Sequence, residues 1–181
     1  GCMDNLAASL LGGFVIAAEG PEGPVLRRIA VPRSLRAVFF VSGEPFATRA
    51  ARRILPARVP LRDAAANAAM AGFLVLAFAR ANWYDLRIGM DDRLHQPRRS
   101  GLYPHFVPLR DAALAAGAAG CCISGAGPSV VALAQRGAAA AVAAAWRDLC
   151  AARGFHGDVR EIAPGGRTVW RSGSGPCTSL S

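Results

Sequence analysis

The 181-residue sequence contains no lysine: its 21 basic residues are all arginine, against 12 acidic ones, for a formal net charge of +9. Such an excess raises the question of nucleic acid. The arginines, however, fall in ones and twos, as in Arg27-Arg28, Arg52-Arg53 and Arg98-Arg99, and build no sustained stripe. A surface that tracks a phosphate backbone needs one, so no nucleic-acid partner is predicted, although a basic surface still favours small anions such as nucleotides. Heavy Ala, Gly, Arg and Pro usage also fits a GC-rich coding sequence, which raises arginine without a partner. Aromatics are sparse at 7%, yet 52% apolar residues and a mean hydropathy of +0.27 exclude a disordered chain. Long hydrophobic runs are lacking too. The longest, Ala68 to Ala79, is interrupted by Gly72 and closed by Arg80; it is too short to span a bilayer and reads as a buried helix. No basic segment followed by an apolar one opens the chain, so a cytoplasmic location and no membrane partner are predicted. The five cysteines include no C-x-x-C pair and no histidine at metal-ligand spacing, so no metal site is expected. Cys121 and Cys122, adjacent in an apolar run, read as reduced core residues.

What is present alternates between helical and strand-like segments. Asp4 to Leu11 reads as a helix stopped by Gly12-Gly13. Phe14 to Ala18 and Val25 to Val31, separated by Gly20-Pro21-Glu22-Gly23-Pro24, predict a hairpin, and Arg36 to Ser42 a buried strand. Thr48 to Leu55 reads as a short helix with Thr48 as N-cap, stopped by Pro56, and Pro60 opens a long helix to Arg80. A helix is predicted over Trp83 to Arg93, then a loop bracketed by Gln96-Pro97 and Tyr103-Pro104, then a helix over His105 to Ala116. Strands follow over Ala119 to Ser124 and Val130 to Ala134, an Ala-rich helix over Ala138 to Arg153 closed by Gly154, and a strand over His156 to Ile162, with Val169-Trp170 as a further fragment. This order predicts an α+β fold, an antiparallel sheet with helices packed on one face, as in a split βαβ unit.

The sharpest local feature is Ser124-Gly125-Ala126-Gly127-Pro128-Ser129 between two apolar strands. Its glycines let the backbone turn tightly and approach another backbone or an anion. It matches neither G-x-x-x-x-G-K-[ST] nor G-x-G-x-x-G, and a plain hairpin turn is the alternative reading.

With Ala119-Gly120 before it and Val130-Val131-Ala132-Leu133 after it, this stretch resembles the third glycine-rich motif of the GHMP small-molecule kinases. Three further segments, in family order, resemble homoserine kinases within that superfamily: Gly1-Cys2-Met3-Asp4-Asn5-Leu6-Ala7 (G-H-x-D-N-x-A), Thr48 to Pro56 (T-x-x-A-R-x-x-L-P) and Asp92 to Arg99 (D-x-x-H-[QE]-P-Y-R). The resemblance implies a ferredoxin-like GHMP kinase C-terminal domain over residues 35–171. It implies a remnant of the N-terminal kinase domain, a helix plus a hairpin, over 1–34, and a flexible tail over 172–181.

The implied reaction is ATP-dependent phosphorylation of L-homoserine to O-phospho-L-homoserine in threonine biosynthesis, with this chain supplying mainly the acceptor half. By the resemblance, Asp4 binds the substrate ammonium, Asn5 supports its loop, and Arg52 and Arg99 hold the carboxylate, a pairing that suits a guanidinium fork. The turn Ser124 to Ser129 would lie beside the phosphate-binding loop. On the residues alone, Asp4 also reads as a helix N-cap and the two arginines as solvated surface charges. His95 reads equally as a base or as a structural loop residue.

Cys2 stands where the family has His, Met3 where Pro is common, and Arg98 where Tyr is usual. A thiol cannot reproduce the donor and acceptor geometry of an imidazole. The family's phosphate loop, P-x-x-x-G-L-G-S-S-A, and its Mg²⁺-binding acidic residue match no stretch of these 181 residues. The expectations are that the chain is a fragment or half of a split enzyme, with no catalytic residue of its own and no tight ATP or Mg²⁺ binding. The missing N-terminal half would be its partner and self-association its tendency. Another GHMP kinase, or a non-catalytic remnant acting as a binding module, is the alternative.

Overall fold

The computed structural model of the chain describes residues 3–44 and 48–166, the side chains of Thr48, Arg49 and Arg52 excepted. Cys2, Val169-Trp170 and the tail 172–181 lie outside the described residues. Two compact units result: one holds the residues up to Pro32 together with those from Pro164, the other Arg33–Ala163.

In the first unit, α1 (Met3–Leu11) ends where Gly12 and Gly13 adopt φ of 61° and 73°. The Arg28 Nε–H then donates to the last carbonyls, Leu11 O at 2.9 Å and Gly12 O at 3.0 Å, as a cation at a helix C-terminus does. The predicted hairpin forms from β1 (Phe14–Gly20) and β2 (Gly23–Ile29), paired from Phe14↔Ile29 to Gly20↔Gly23. Ala7 is the one apolar side chain buried in this unit among the described residues, whereas Leu6 and Leu10 are 62% and 52% exposed.

The second unit contains β3 (Leu35–Ser42), α2 (Thr48–Arg53), α3 (Leu61–Arg80), α4 (Trp83–Gly89), α5 (Gln96–Arg99), a 3₁₀ turn (Ser100–Leu102), α6 (Phe106–Ala115), β4 (Gly120–Ile123), β5 (Val130–Gln135), α7 (Arg136–Arg153) and β6 (Gly157–Ile162). The strands form one antiparallel sheet in the order β4-β5-β3-β6, with α6 and α7 packed on it. This is the α+β, ferredoxin-like arrangement. Alternation along β3 puts Val38 and Phe40 in the core beside Ala132 and Ala134 of β5, because successive strand side chains point to opposite faces. On α7, Ala139, Val142, Ala143 and Trp146 recur at helical spacing and are all buried.

Three expectations are corrected. The helix predicted to Arg93 stops at Gly89, and the loop predicted from Gln96 to Tyr103 contains α5 and the 3₁₀ turn. Helix α4 is capped at Met90, whose N–H returns to Leu86 O and Ile88 O, and the Asp92 side chain accepts from the N–H groups of Leu94, His95 and Gln96 at the start of α5. The Ala68–Ala79 run is not a buried helix. Within α3 only Ala77 and Phe78 are buried, since α4 covers it along one stripe, so closely that a Cβ on Gly89 would lie 2.5 Å from the Leu74 nitrogen. By length and composition alone, the 20-residue α3 is apolar enough to cross a membrane.

At the end of α3, Ala81 takes φ 52° and ψ 35°, a left-handed conformation that strains a side chain. Ala81→Gly is therefore expected to stabilise the protein by up to about 1 kcal/mol, readable as a raised urea midpoint at unchanged slope.

Candidate functional site

The segment from Asp92 to His105 is built around its first residue. The Asp92 carboxylate accepts from the N–H groups of Leu94 (2.8 Å), His95 (3.1 Å) and Gln96 (3.0 Å) and from Asn67 Nδ2 (2.9 Å) on α3. Asn67 Oδ1 accepts in turn from the Arg93 N–H at 2.9 Å. Burial alone would raise the Asp92 pKa, but these hydrogen bonds together hold it below the usual 3.8. The folded-state value is thus depressed, and the stability it confers is present above the unfolded pKa and lost as pH falls through the folded one. The destabilisation caused by Asp92→Asn should accordingly be full at pH 7 and shrink below about pH 4, as read by urea unfolding at the two pH values. His95 belongs to this cap: its ring is 48% exposed and its Nδ1 lies 3.2 Å from Asp92 Oδ2.

From α5 onward, four side chains reach the Ser124–Ser129 turn and the strand end before it. Gln96 Oε1 accepts from the Ile123 N–H at 3.1 Å while its Nε2 donates to Met90 O at 3.0 Å. Arg99 Nη1 donates to Gly125 O at 2.9 Å, and its Nε–H lies 3.4 Å from Ala51 O in α2. The Tyr103 hydroxyl donates to Ala126 O at 2.7 Å. Burial raises the Tyr103 pKa, against the pull of the Arg99 charge, so the phenol stays protonated. His105 Nε2 lies 2.7 Å from Pro128 O, to which it donates. The ring of His105 is buried among Phe40, Tyr103 and Phe155, with centroids at 5.0, 6.1 and 6.0 Å.

The turn closes on itself as well. The Ser124 N–H donates to Ser129 O (2.8 Å) and the Gly127 N–H to Ser124 O (2.9 Å). Gly125 and Gly127 have φ of 59° and 86°, and a Cβ on Gly127 would fall on the Tyr103 ring. Glycine is required there by conformation and by space. The carbonyls of Ser124, Gly125, Ala126, Pro128 and Ser129 all accept hydrogen bonds. Among the described residues, the N–H groups of Gly125, Ala126 and Ser129 donate to none. A backbone arranged this way presents donors, which suits an anion.

Of the residues singled out in the sequence, the structure brings together Arg99, the Ser124–Ser129 turn and the backbone of α2, which carries Arg52. The Arg52 side chain lies outside the described residues. Asp4 and Asn5 are exposed in the first turn of α1, in the other unit, and Asp4 lies inside that helix and not at its N-cap. Among the described residues no carboxylate pairs with Arg99, so the guanidinium keeps donors available. Gln96, Tyr103 and His105 were not legible as site residues. Gln96 stood inside a recognised segment without a role, Tyr103 closed the predicted loop, and His105 opened the predicted helix to Ala116.

The adjacent thiols of Cys121 and Cys122 are held in their unreactive protonated form. Burial, with smaller contributions from Cys122 and Asp111 against Arg110, pushes Cys121 far up, and burial with Asp92 pushes Cys122 up to about 12. Among the described residues, no three His, Cys, Asp or Glu side chains gather as a metal site. A groove of about 590 Å³ lined by Met90, Gln96, Phe106, Arg110 and Cys121 shares Gln96 with this region but includes none of the turn.

Residues 74–152 match the family described as GHMP kinases C terminal. The homoserine kinase of Carboxydothermus hydrogenoformans is 39% identical over 136 residues, 75% of this chain and 44% of that protein. The homoserine kinase of Microchaete diplosiphon is 37% identical over 162 residues, 88% of this chain and 52% of that protein. The crystal structure of homoserine kinase from Cytophaga hutchinsonii superposes with a TM-score of 0.82 at 33% identity, over 89% of this chain and 51% of that one. The chain spans about half the length of the curated relatives it matches.

Proposed function

Because the chain carries the C-terminal domain of the GHMP kinases and is similar to homoserine kinases over most of its length, we propose that it supplies the acceptor half of a homoserine kinase. In the proposed reaction, the side-chain hydroxyl oxygen of L-homoserine bonds to the γ-phosphorus of ATP. The bond from that phosphorus to the β–γ bridging oxygen breaks, ADP leaves, the hydroxyl proton is released, and O-phospho-L-homoserine forms. The place of the reaction would be threonine biosynthesis in the cytoplasm. Phosphoryl transfer depends on positioning and charge neutralisation, and those are the roles assigned here. Asp4 meets the ammonium, Asn5 supports it, and Arg52 and Arg99 hold the carboxylate, with the Ser124–Ser129 turn beside the transferred group. ATP and Mg²⁺ belong to the preceding half of the kinase.

The observation that carries this reading is Arg99 itself. It is anchored to the turn through Gly125 O, reaches the helix that bears Arg52, and has no carboxylate partner among the described residues. A second observation supports the need for the other half. Among the described residues, the hairpin and the helix bury only Ala7, as a lone hairpin is marginal by itself, and self-association is the expected result where apolar surface such as Leu6 and Leu10 stays uncovered.

The test is ADP release by the chain extended with the coding sequence that precedes Gly1, assayed with L-homoserine and with mevalonate as acceptor. Release that depends on L-homoserine supports the reading. Release that is independent of the acceptor, or faster with mevalonate, overturns it.

A further inference from the structure

The turn Ser124–Ser129 owes its shape to side chains that lie more than twenty residues before it. Tyr103 and His105 each span 23 residues to reach it. Both are almost fully buried, at 1% and 8% exposure, so neither is available to touch a substrate. Their hydrogen-bonding ends nevertheless reach the turn. Tyr103 takes the Ala126 carbonyl, and its ring face fills the space a side chain on Gly127 would need. His105 takes the Pro128 carbonyl while its ring is packed on three aromatics. Arg99 takes the carbonyl of Gly125 from the same segment. With five of the six carbonyls drawn to donors, the amides of Gly125, Ala126 and Ser129 are the backbone donors the turn has left to offer among the described residues, beside the Gly127 carbonyl and the two serine hydroxyls.

On the reading of the site given above, we propose that Tyr103 and His105 are positioning residues for the acceptor site. They fix the carbonyls of Ala126 and Pro128, so that the turn holds its amides and Arg99 in one rigid arrangement. They act through the turn and Arg99, and not on the reacting atoms. Deleting either donor frees one carbonyl and loosens the turn, and Tyr103→Phe does so by removing a single oxygen atom with the ring left in place.

The test uses the 181-residue protein and four forms of it: wild type, Tyr103→Phe, His105→Leu and His105→Gln. Amide hydrogen exchange is read at Ser124 and Gly127, whose N–H groups close the turn, and at α7 as an internal reference. L-Homoserine affinity is read by titration. A neutral hydrogen bond of ordinary strength corresponds to a change of roughly three- to tenfold. Tyr103→Phe and His105→Leu should therefore speed exchange at Ser124 and Gly127 by about that factor, leave α7 unchanged, and weaken homoserine binding similarly. His105→Gln, which keeps an N–H donor, should restore both. Should His105→Leu fail to fold, Tyr103→Phe and His105→Gln still decide the matter. Unchanged exchange at Ser124 and Gly127 in Tyr103→Phe overturns the proposal, and so does faster exchange with unaltered affinity. Absence of homoserine binding by the wild type overturns the reading under Proposed function instead, and exchange alone then decides whether these side chains hold the turn.

Discussion

Trp146→Ala is expected to remove roughly 3–5 kcal/mol of folding free energy, out of a total that for a domain of this size is about 5–15 kcal/mol. Trp146 is fully buried at the centre of α7, in the cluster that joins α6 and α7 to the sheet. Its indole also donates to Leu109 O on α6 at 2.7 Å, so it ties the two covering helices to each other. Truncation deletes the largest fully buried side chain and leaves a cavity that the alanine-rich surroundings cannot refill. Trp146→Phe separates the two contributions. It keeps most of the packing and loses the hydrogen bond, and should cost roughly 1–2 kcal/mol. Urea denaturation of both variants reads the difference; a loss under about 1 kcal/mol for Trp146→Ala would contradict this account of the core.

Arg99→Ala should weaken L-homoserine binding by roughly ten- to a hundredfold, the loss of one charge-assisted contact plus its effect on the turn. One Nη1 donor and the Nε–H hold Gly125 and face Ala51, and the remaining donors of the fork are those a carboxylate would use. Arg99→Lys keeps the charge but cannot make the anchoring and substrate contacts at once. It should recover little of the lost affinity, although long-range attraction for an anion is preserved. If lysine restored wild-type affinity, the charge alone would matter and the fork geometry would not.

Much of the fold could be read from the chain, because local patterns decide it. The apolar run Val38-Phe39-Phe40-Val41, the alanine-rich stretch from Ala138 to Arg153, and the glycines at 12, 13 and 154 each announce an element without help from elsewhere. The failures occurred where a distant contact decides. A four-residue helix has no periodicity of its own, and α5 exists because Asp92 caps it with support from Asn67, 25 residues earlier. The exposure of α3 depends on how little of it α4 covers, which hydropathy does not report. In the site, the recognised segments pointed to Arg99 and to the glycine-rich turn separately. Their junction at Gly125 O spans 26 residues, and the contributions of Tyr103 and His105 are equally non-local. Side-chain hydrogen bonds to a backbone far along the chain leave no spacing to detect.

The central claim is that these residues recognise the acceptor, and the most direct measurement is calorimetric titration of L-homoserine into the 181-residue protein and its Asp4→Ala variant. The account predicts saturable binding at one site per chain in the wild type, weakened at least about tenfold when the carboxylate proposed to meet the ammonium is removed. No binding by the wild type, or equal binding by the two proteins, would contradict it.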